Sequence, residues 1–177
     1  MVEFLLCVEG GGDSSLLKTH CREGFRKFIK NSSYTGPMPR IAACGNRQAA
    51  YDDFTISLAQ GQKAFLLVDS EDPVAESNQG KPWEHLAARE GDKWTKPTGA
   101  TDGDCHLMVV CMESWFLSDR ETLKKFFGQD FHENSLPSVE TPLESIPKAK
   151  VYDSLKKATG ECAIKNAYSK SETLSRY

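Results

Sequence analysis

Long apolar runs are scarce in this chain. The longest span about six residues, far short of the ~20 that a membrane-spanning helix needs, so no transmembrane segment and no membrane partner are expected. No basic leader precedes Glu3, and no signal peptide is expected. No Cys-x-x-Cys pair occurs among Cys7, Cys21, Cys44, Cys105, Cys111 and Cys162. Three of the six sit in apolar, strand-like runs. That argues for reduced, buried thiols in a cytoplasmic protein and against zinc or a disulfide framework. His20, His85, His106 and His132 share no ligand spacing. Ser14 and Ser15 have no His-Asp set to activate them as nucleophiles. The glycine triplet Gly10–Gly12 is not followed by the Lys-Ser/Thr of a phosphate-binding loop, and it lacks the Gly-x-Gly-x-x-Gly spacing of a dinucleotide site. Internal repeats and low-complexity tracts are absent.

What remains is an ordinary globular composition: 177 residues, 39% hydrophobic and 27% charged, enough for one domain with a real core. The reading is a single domain over residues 1–177, with a sheet core in 1–130 and a connector plus basic helical region in 131–177. Net charge is −3, unevenly placed, since residues 148–177 hold seven Lys and Arg against three acids. A basic end on an acidic body suits a polyanion or an acidic partner; a solvated helix face followed by a frayed tail explains it equally well.

Hydrophobic spacing predicts strands over Val2–Val8, Arg40–Cys44, Lys63–Val68 and Cys105–Met112. Helices are predicted over Ser14–Lys30, with Asp13 or Ser14 as N-cap, over Arg47–Gln60 closed by Gly61, over Glu121–Phe127 and over Ala149–Thr159. A turn or two of helix is expected at Trp83–Arg89, and another helix opens at Glu113. Most strands read as continuous apolar runs, the mark of a parallel sheet covered on both sides. The expected class is α/β: a Rossmann-like, mostly parallel central sheet of about four strands with helices on both faces.

In such sheets ligands bind beyond the carboxyl ends of the strands. Glu9 follows the first strand, Asp69 and Glu71 the third, and Glu113 the fourth. Acids gathered at one edge repel each other unless a cation sits among them. Mg²⁺ or Mn²⁺ suits oxygen donors of this kind and leaves room for substrate phosphate. Glycines at Gly10 and Gly11 let backbone N–H groups approach a ligand. Arg47, opening a helix after Gly45-Asn46, is placed for a phosphate oxygen. The edge therefore points to phosphodiester cleavage or transfer.

Val8-Glu9-Gly10 and Leu67-Val68-Asp69-Ser70-Glu71 resemble the two signature motifs of the Toprim domain, a glutamate after the first strand and an Asp-x-Asp after the third. With Ala43-Cys44-Gly45-Asn46-Arg47 and the block from His106 to Phe116, they resemble more specifically the bacterial Toprim-like family called domain of unknown function 4276, over residues 2 to about 170. That resemblance implies a Toprim fold, Mg²⁺-dependent nuclease chemistry on nucleic acid, and an ATPase partner in anti-phage defence. One departure is that Glu71 stands where the second aspartate belongs, with Asp72 adjacent, so either acid can be the ligand.

Glu9 is accordingly expected as metal ligand or general base, Asp69 and Glu71 as ligands with a catalytic role, and Glu113 as a ligand of a second ion or the cap of its helix. Lys165 and Lys170 are candidates for neutralising charge on a reacting phosphate. Trp83, Trp94 and Trp115 are candidates for base stacking, with Trp115 expected in the core. Two other classes compete: a non-catalytic subunit that binds an ATPase, and a small phosphohydrolase acting on nucleotides.

Overall fold

The computed structural model describes residues 4–162 and 167–168. These form two compact units, residues 4–68 with 77–107, and residues 69–76 with 108–162 and 167–168.

The first unit is built around a four-stranded parallel sheet. Apolar residues from Leu5 onward form β1 (Leu5–Gly11), followed by α1 (Ser15–Asn31), β2 (Arg40–Gly45), α2 (Arg47–Ala59) and β3 (Ala64–Asp69). After a polar stretch come α3 (Pro82–Ala88) and β4 (Cys105–Met108). The strand order is β2-β1-β3-β4, with Leu5 aligned to Arg40 on one side and Ala64 on the other. The chain moves outward from β1 to β2, then back across β1 to β3. Right-handed crossovers in opposite directions put α1 and α2 on opposite faces of the sheet, the Rossmann-like arrangement.

Strand alternation divides the core between those faces. Leu5, Cys7, Leu66 and Val68 pack with Ala50 and Phe54 of α2 and with Trp83 and Leu86 of α3. Cys21 and Phe25 are the buried residues of α1. Phe65 and Leu67 of β3 are only half-buried, so that face is covered less fully than a continuous apolar run suggests. Local signals close the helices. Ser14 Oγ accepts from the Leu17 N–H at 3.2 Å, and Asn46 Oδ1 from the Ala49 N–H at 2.9 Å, each satisfying a donor at a helix start. After α2, the Gly61 N–H donates to Leu58 O and the Gln62 N–H to Ser57 O, the Schellman pattern that a left-handed glycine permits.

Two strands end elsewhere than their hydrophobicity predicts. β1 continues past Val8 through the glycines, because Gly10 and Gly11 both align with Gly45 across a bulge. A Cβ on Gly11 would lie 2.9 Å from Lys18 Cα, and one on Gly45 would lie 2.8 Å from Gly12 O, so close packing alone requires glycine at both. β4 stops at Met108 rather than Met112. Beyond it, Ser70 N–H donates to Met108 O and Glu71 N–H to Val110 O; two residues on one side answer one on the other, and the regular ladder ends.

The second unit is helical. α4 (Glu113–Phe116), α5 (Arg120–Phe127) and α6 (Lys148–Thr159) enclose Leu123, Phe127, Leu136, Ile146, Val151 and Leu155, all buried. The connector between α5 and α6 is broken by Pro137, Pro142 and Pro147 and forms only short 3₁₀ turns at Glu133–Ser135 and Leu143–Ser145. Asp119 caps α5.

The tryptophans reverse their expected places. Trp83 and Trp94 are core residues, their indole N–H groups donating to Thr101 O and Gln48 Oε1, and Trp94 stacks on Tyr51 at 4.6 Å. Neither presents a face for a base. Trp115, expected in the core, is half-buried. Among the described residues, no helix is long and apolar enough to cross a membrane.

Candidate metal centre

The strand order reverses between β1 and β3, and the carboxyl ends flanking such a switch point are where doubly wound sheets bind ligands. β1 carries Glu9 there, and β3 ends on Asp69. Glu9, Asp69 and Glu71 each bring one carboxylate oxygen to within 4.8 Å of the others. Of the two acids left open at positions 71 and 72, Glu71 joins this group and Asp72 is exposed.

Asp69 is the deepest of the three, 6% exposed. Its Oδ1 accepts from the Met112 N–H at 2.9 Å and its Oδ2 meets the Lys148 ammonium at 2.9 Å. Glu71 has φ +67°, a left-handed conformation that costs a side-chain-bearing residue on the order of 1 kcal/mol. It is held there by its N–H bond to Val110 O, 2.8 Å, and by its Oε1, 2.6 Å from Lys148 Nζ. Lys148 is thus gripped by two carboxylates at the first turn of α6, with its side chain 15% exposed.

Burial lifts the Asp69 carboxyl above the ordinary aspartate value; Lys148 pulls it down, the charge of Glu113 adds to the rise, and the Met112 N–H opposes it. Burial depresses the Lys148 ammonium, but Asp69 and Glu71 outweigh that, and its pKa lies above the ordinary lysine value. We read Asp69 and Lys148 as an ionised pair, since the ammonium lies within hydrogen-bond reach of that carboxylate.

Glu9 has a different counter-ion. Its Oε2 lies 3.2 Å from Arg47 Nη1. Arg47 also forms a two-pronged bond to Asp92, Nε–Oδ1 at 2.7 Å and Nη2–Oδ2 at 2.8 Å, and stacks over Trp94 at 5.0 Å. Arg89 bonds Asp92 as well. The guanidinium expected to meet a phosphate is therefore engaged by protein carboxylates.

The remaining candidates fall around these. Gly10 and Gly11 form the bulge at the end of β1. Glu113 is buried at 4%, outside the three-carboxylate group, and its Oε1 accepts from the Tyr168 hydroxyl at 2.8 Å. Burial and Glu113 together hold that hydroxyl protonated, well above the ordinary tyrosine value. Lys165 and Lys170 lie outside the described residues. Two contributors escaped sequence reasoning. Lys148 counted there only as part of a basic tail, and Asp92 as part of a polar loop; neither sits in a motif.

The donor set fits a hard divalent cation. All three donors are carboxylate oxygens, the chemistry Mg²⁺, Mn²⁺ and Ca²⁺ prefer. Oxygens around Mg²⁺ at about 2.1 Å sit about 3.0 Å apart when adjacent and about 4.2 Å when opposite, so a spread of 4.8 Å closes with small side-chain movements. Lys148 Nζ, itself a cation between two of the donors, marks the position as one that favours positive charge.

The profile of a family described as Domain of unknown function (DUF4276) matches residues 8–176. The chain belongs to this family. No curated protein and no solved structure matches it. The DUF4276 match opens at Val8, next to Glu9, so the three carboxylates, Arg47 and Lys148 all lie inside the matched stretch. The family description names no activity, and the functional reading rests on the geometry.

Proposed function

We propose that Glu9, Asp69 and Glu71 hold a divalent cation, Mg²⁺ or Mn²⁺, and that the protein cleaves phosphodiester bonds in nucleic acid as a Toprim-like nuclease. The observation that carries this reading is the convergence of three carboxylate oxygens within 4.8 Å at the switch point of a parallel sheet. A divalent ion bound there supplies Lewis acidity toward a phosphoryl oxygen and a lowered pKa for bound water. The protein's own contribution is positional. Asp69, fixed by the Met112 N–H and buried, is the rigid donor. Glu71, pinned by its backbone bond to Val110, faces the same point. Glu9, paired with Arg47 and less buried, is placed either to ligate the ion or to take a proton from the attacking water. Glu113 supplies a buried negative charge near Asp69.

The test is incubation of the protein with DNA and RNA in Mg²⁺ or Mn²⁺, beside Glu9→Gln and Asp69→Asn. Cleavage should fall at least about a hundredfold in both variants, the usual scale for removing a group that acts on the reacting centre. Equal cleavage by all three proteins rejects the assignment.

A second reading has an observation of its own. Lys148 and Arg47 pair with the three carboxylates without a metal, as expected of a non-catalytic subunit that docks on an ATPase. Calorimetry separates the two: binding of Mg²⁺ that disappears in Asp69→Asn favours the enzyme, and no binding at millimolar ion favours the subunit.

A further inference from the structure

The Lys148 ammonium lies 2.9 Å from Asp69 Oδ2 and 2.6 Å from Glu71 Oε1, both charge-assisted hydrogen-bond distances. A divalent ion using those oxygens stands about 2.1 Å from each. The ammonium and the ion would then be separated by little more than a hydrogen-bond length, with three positive charges on two shared oxygens. Coulomb repulsion at that distance in a partly buried site is severe, so the two cations exclude each other.

The position of Lys148 on its helix adds to this. It is the first residue of α6, whose first turn holds no acid and whose N-cap, Pro147, provides no side-chain bond. A cation at a helix N-terminus works against the helix dipole, so α6 itself gives Lys148 no reason to stay. What holds it is the carboxylate pair. An alternative resting place is near: Nζ is 5.8 Å from the centroid of the Tyr152 ring, one turn along α6. The side chain is 15% exposed, and a four-carbon stem can swing its head toward solvent without moving the backbone.

We propose that Lys148 is a built-in competitor for the metal: its ammonium occupies the place between Asp69 and Glu71 that a divalent ion takes, and entry of the ion expels it. This rests on the metal reading above. In the metal-free protein Lys148 offsets the repulsion between the buried Asp69 and the half-buried Glu71, so the fold does not depend on an ion. It also weakens ion binding, because each ion that enters must first break an internal ion pair. The centre then responds to a threshold of free divalent cation instead of staying loaded.

The test compares the full chain with Lys148→Met by calorimetric titration with Mn²⁺. The variant should bind about tenfold tighter or more, because the ion no longer has to displace an ammonium from the two carboxylate oxygens. A second readout needs no variant. Acetylation of Lys148 in the unaltered protein, followed by mass spectrometry, should rise severalfold when Mn²⁺ is added at saturation, and this decides the matter if Lys148→Met does not fold. Equal or weaker Mn²⁺ binding by the variant overturns the proposal and leaves the metal site standing. So does Lys148 reactivity that stays unchanged while calorimetry shows the ion bound. Absence of Mn²⁺ binding to both proteins removes the metal reading and the proposal with it.

Discussion

Asp92 is gripped by two arginines, and its side chain is 2% exposed. Arg47 reaches it with both prongs of its fork, while Arg89 approaches from three residues upstream. Replacing Asp92 with alanine leaves two partly buried guanidinium groups without their shared counter-ion. Breaking such a pair from one side costs more than the pair contributes, because the remaining charge stays desolvated. Asp92→Ala should lose about 3 kcal/mol of stability, read as a lower urea midpoint with an unchanged slope. The variant also frees Arg47 to lean further on Glu9, so any Mn²⁺ affinity should fall with it. At this scale half the candidate centre was legible. Glu9 and Asp69 stand directly after apolar runs, with Glu71 two residues on, and the strand-end rule assigns them to one edge. Lys148 and Asp92 were not legible, because Lys148 meets Asp69 and Asp92 meets Arg47 across more than forty positions of chain and no spacing rule reaches that far. The choice between Glu71 and Asp72 needed coordinates too, since adjacent residues point in different directions and only backbone geometry decides which turns inward.

Element boundaries follow local chemistry where caps are present and tertiary pairing where they are not. Ser14 starts α1 and Gly61 follows the end of α2 where capping rules put them, within a residue, and Asn46 caps the start of α2. β1 and β4 departed from their hydrophobic runs because the bulge at Gly10–Gly11 and the hydrogen bonds of Ser70 and Glu71 decide pairing there, and neither is a property of the strand's own residues. The cap of α5 gives a prediction with a sign. Asp119 accepts from the Thr122 hydroxyl at 2.7 Å and from the Thr122 N–H at 3.0 Å, and these two bonds lower its carboxyl below the ordinary aspartate value. A carboxyl lowered on folding adds stability that is fully present above its unfolded pKa, 3.8, and is lost as pH falls through the lower folded value. Asp119→Ala should therefore unfold at lower temperature than the unaltered protein at pH 7. The gap between the two should narrow only below about pH 4. A gap that is constant from pH 7 down to pH 2 would show that the capping bonds do not depend on the charge.

For the whole molecule, the six cysteines offer a readout that reaches the sheet and the helical unit alike. All six are buried and unpaired. Burial pushes the thiol of Cys21 up to about 11, that of Cys105 up to about 12 and that of Cys111 up to about 11. Only the thiolate attacks a disulfide reagent, and at pH 8 these groups are almost wholly protonated as well as shielded. The native protein should therefore react slowly with an aromatic disulfide at pH 8, and all six thiols should react promptly in denaturant. The slow reaction has to pass through opened states. Cys7 and Cys105 lie in the sheet, where access requires opening of the first unit, whereas Cys111 and Cys162 report on the helical one. Resolving labelled peptides by mass spectrometry thus gives two rates from one sample. A ligand that binds only the folded protein lowers the open population by the factor one plus its concentration over its dissociation constant. If Asp69 and Glu71 ligate Mn²⁺, labelling of Cys111, which shares their unit, should slow in proportion to added ion, and Asp69→Asn should abolish that dependence. Rapid reaction of the native thiols at pH 8 would contradict the burial on which both rates depend, and a Cys111 rate indifferent to Mn²⁺ would argue that no ion is held at the carboxylates.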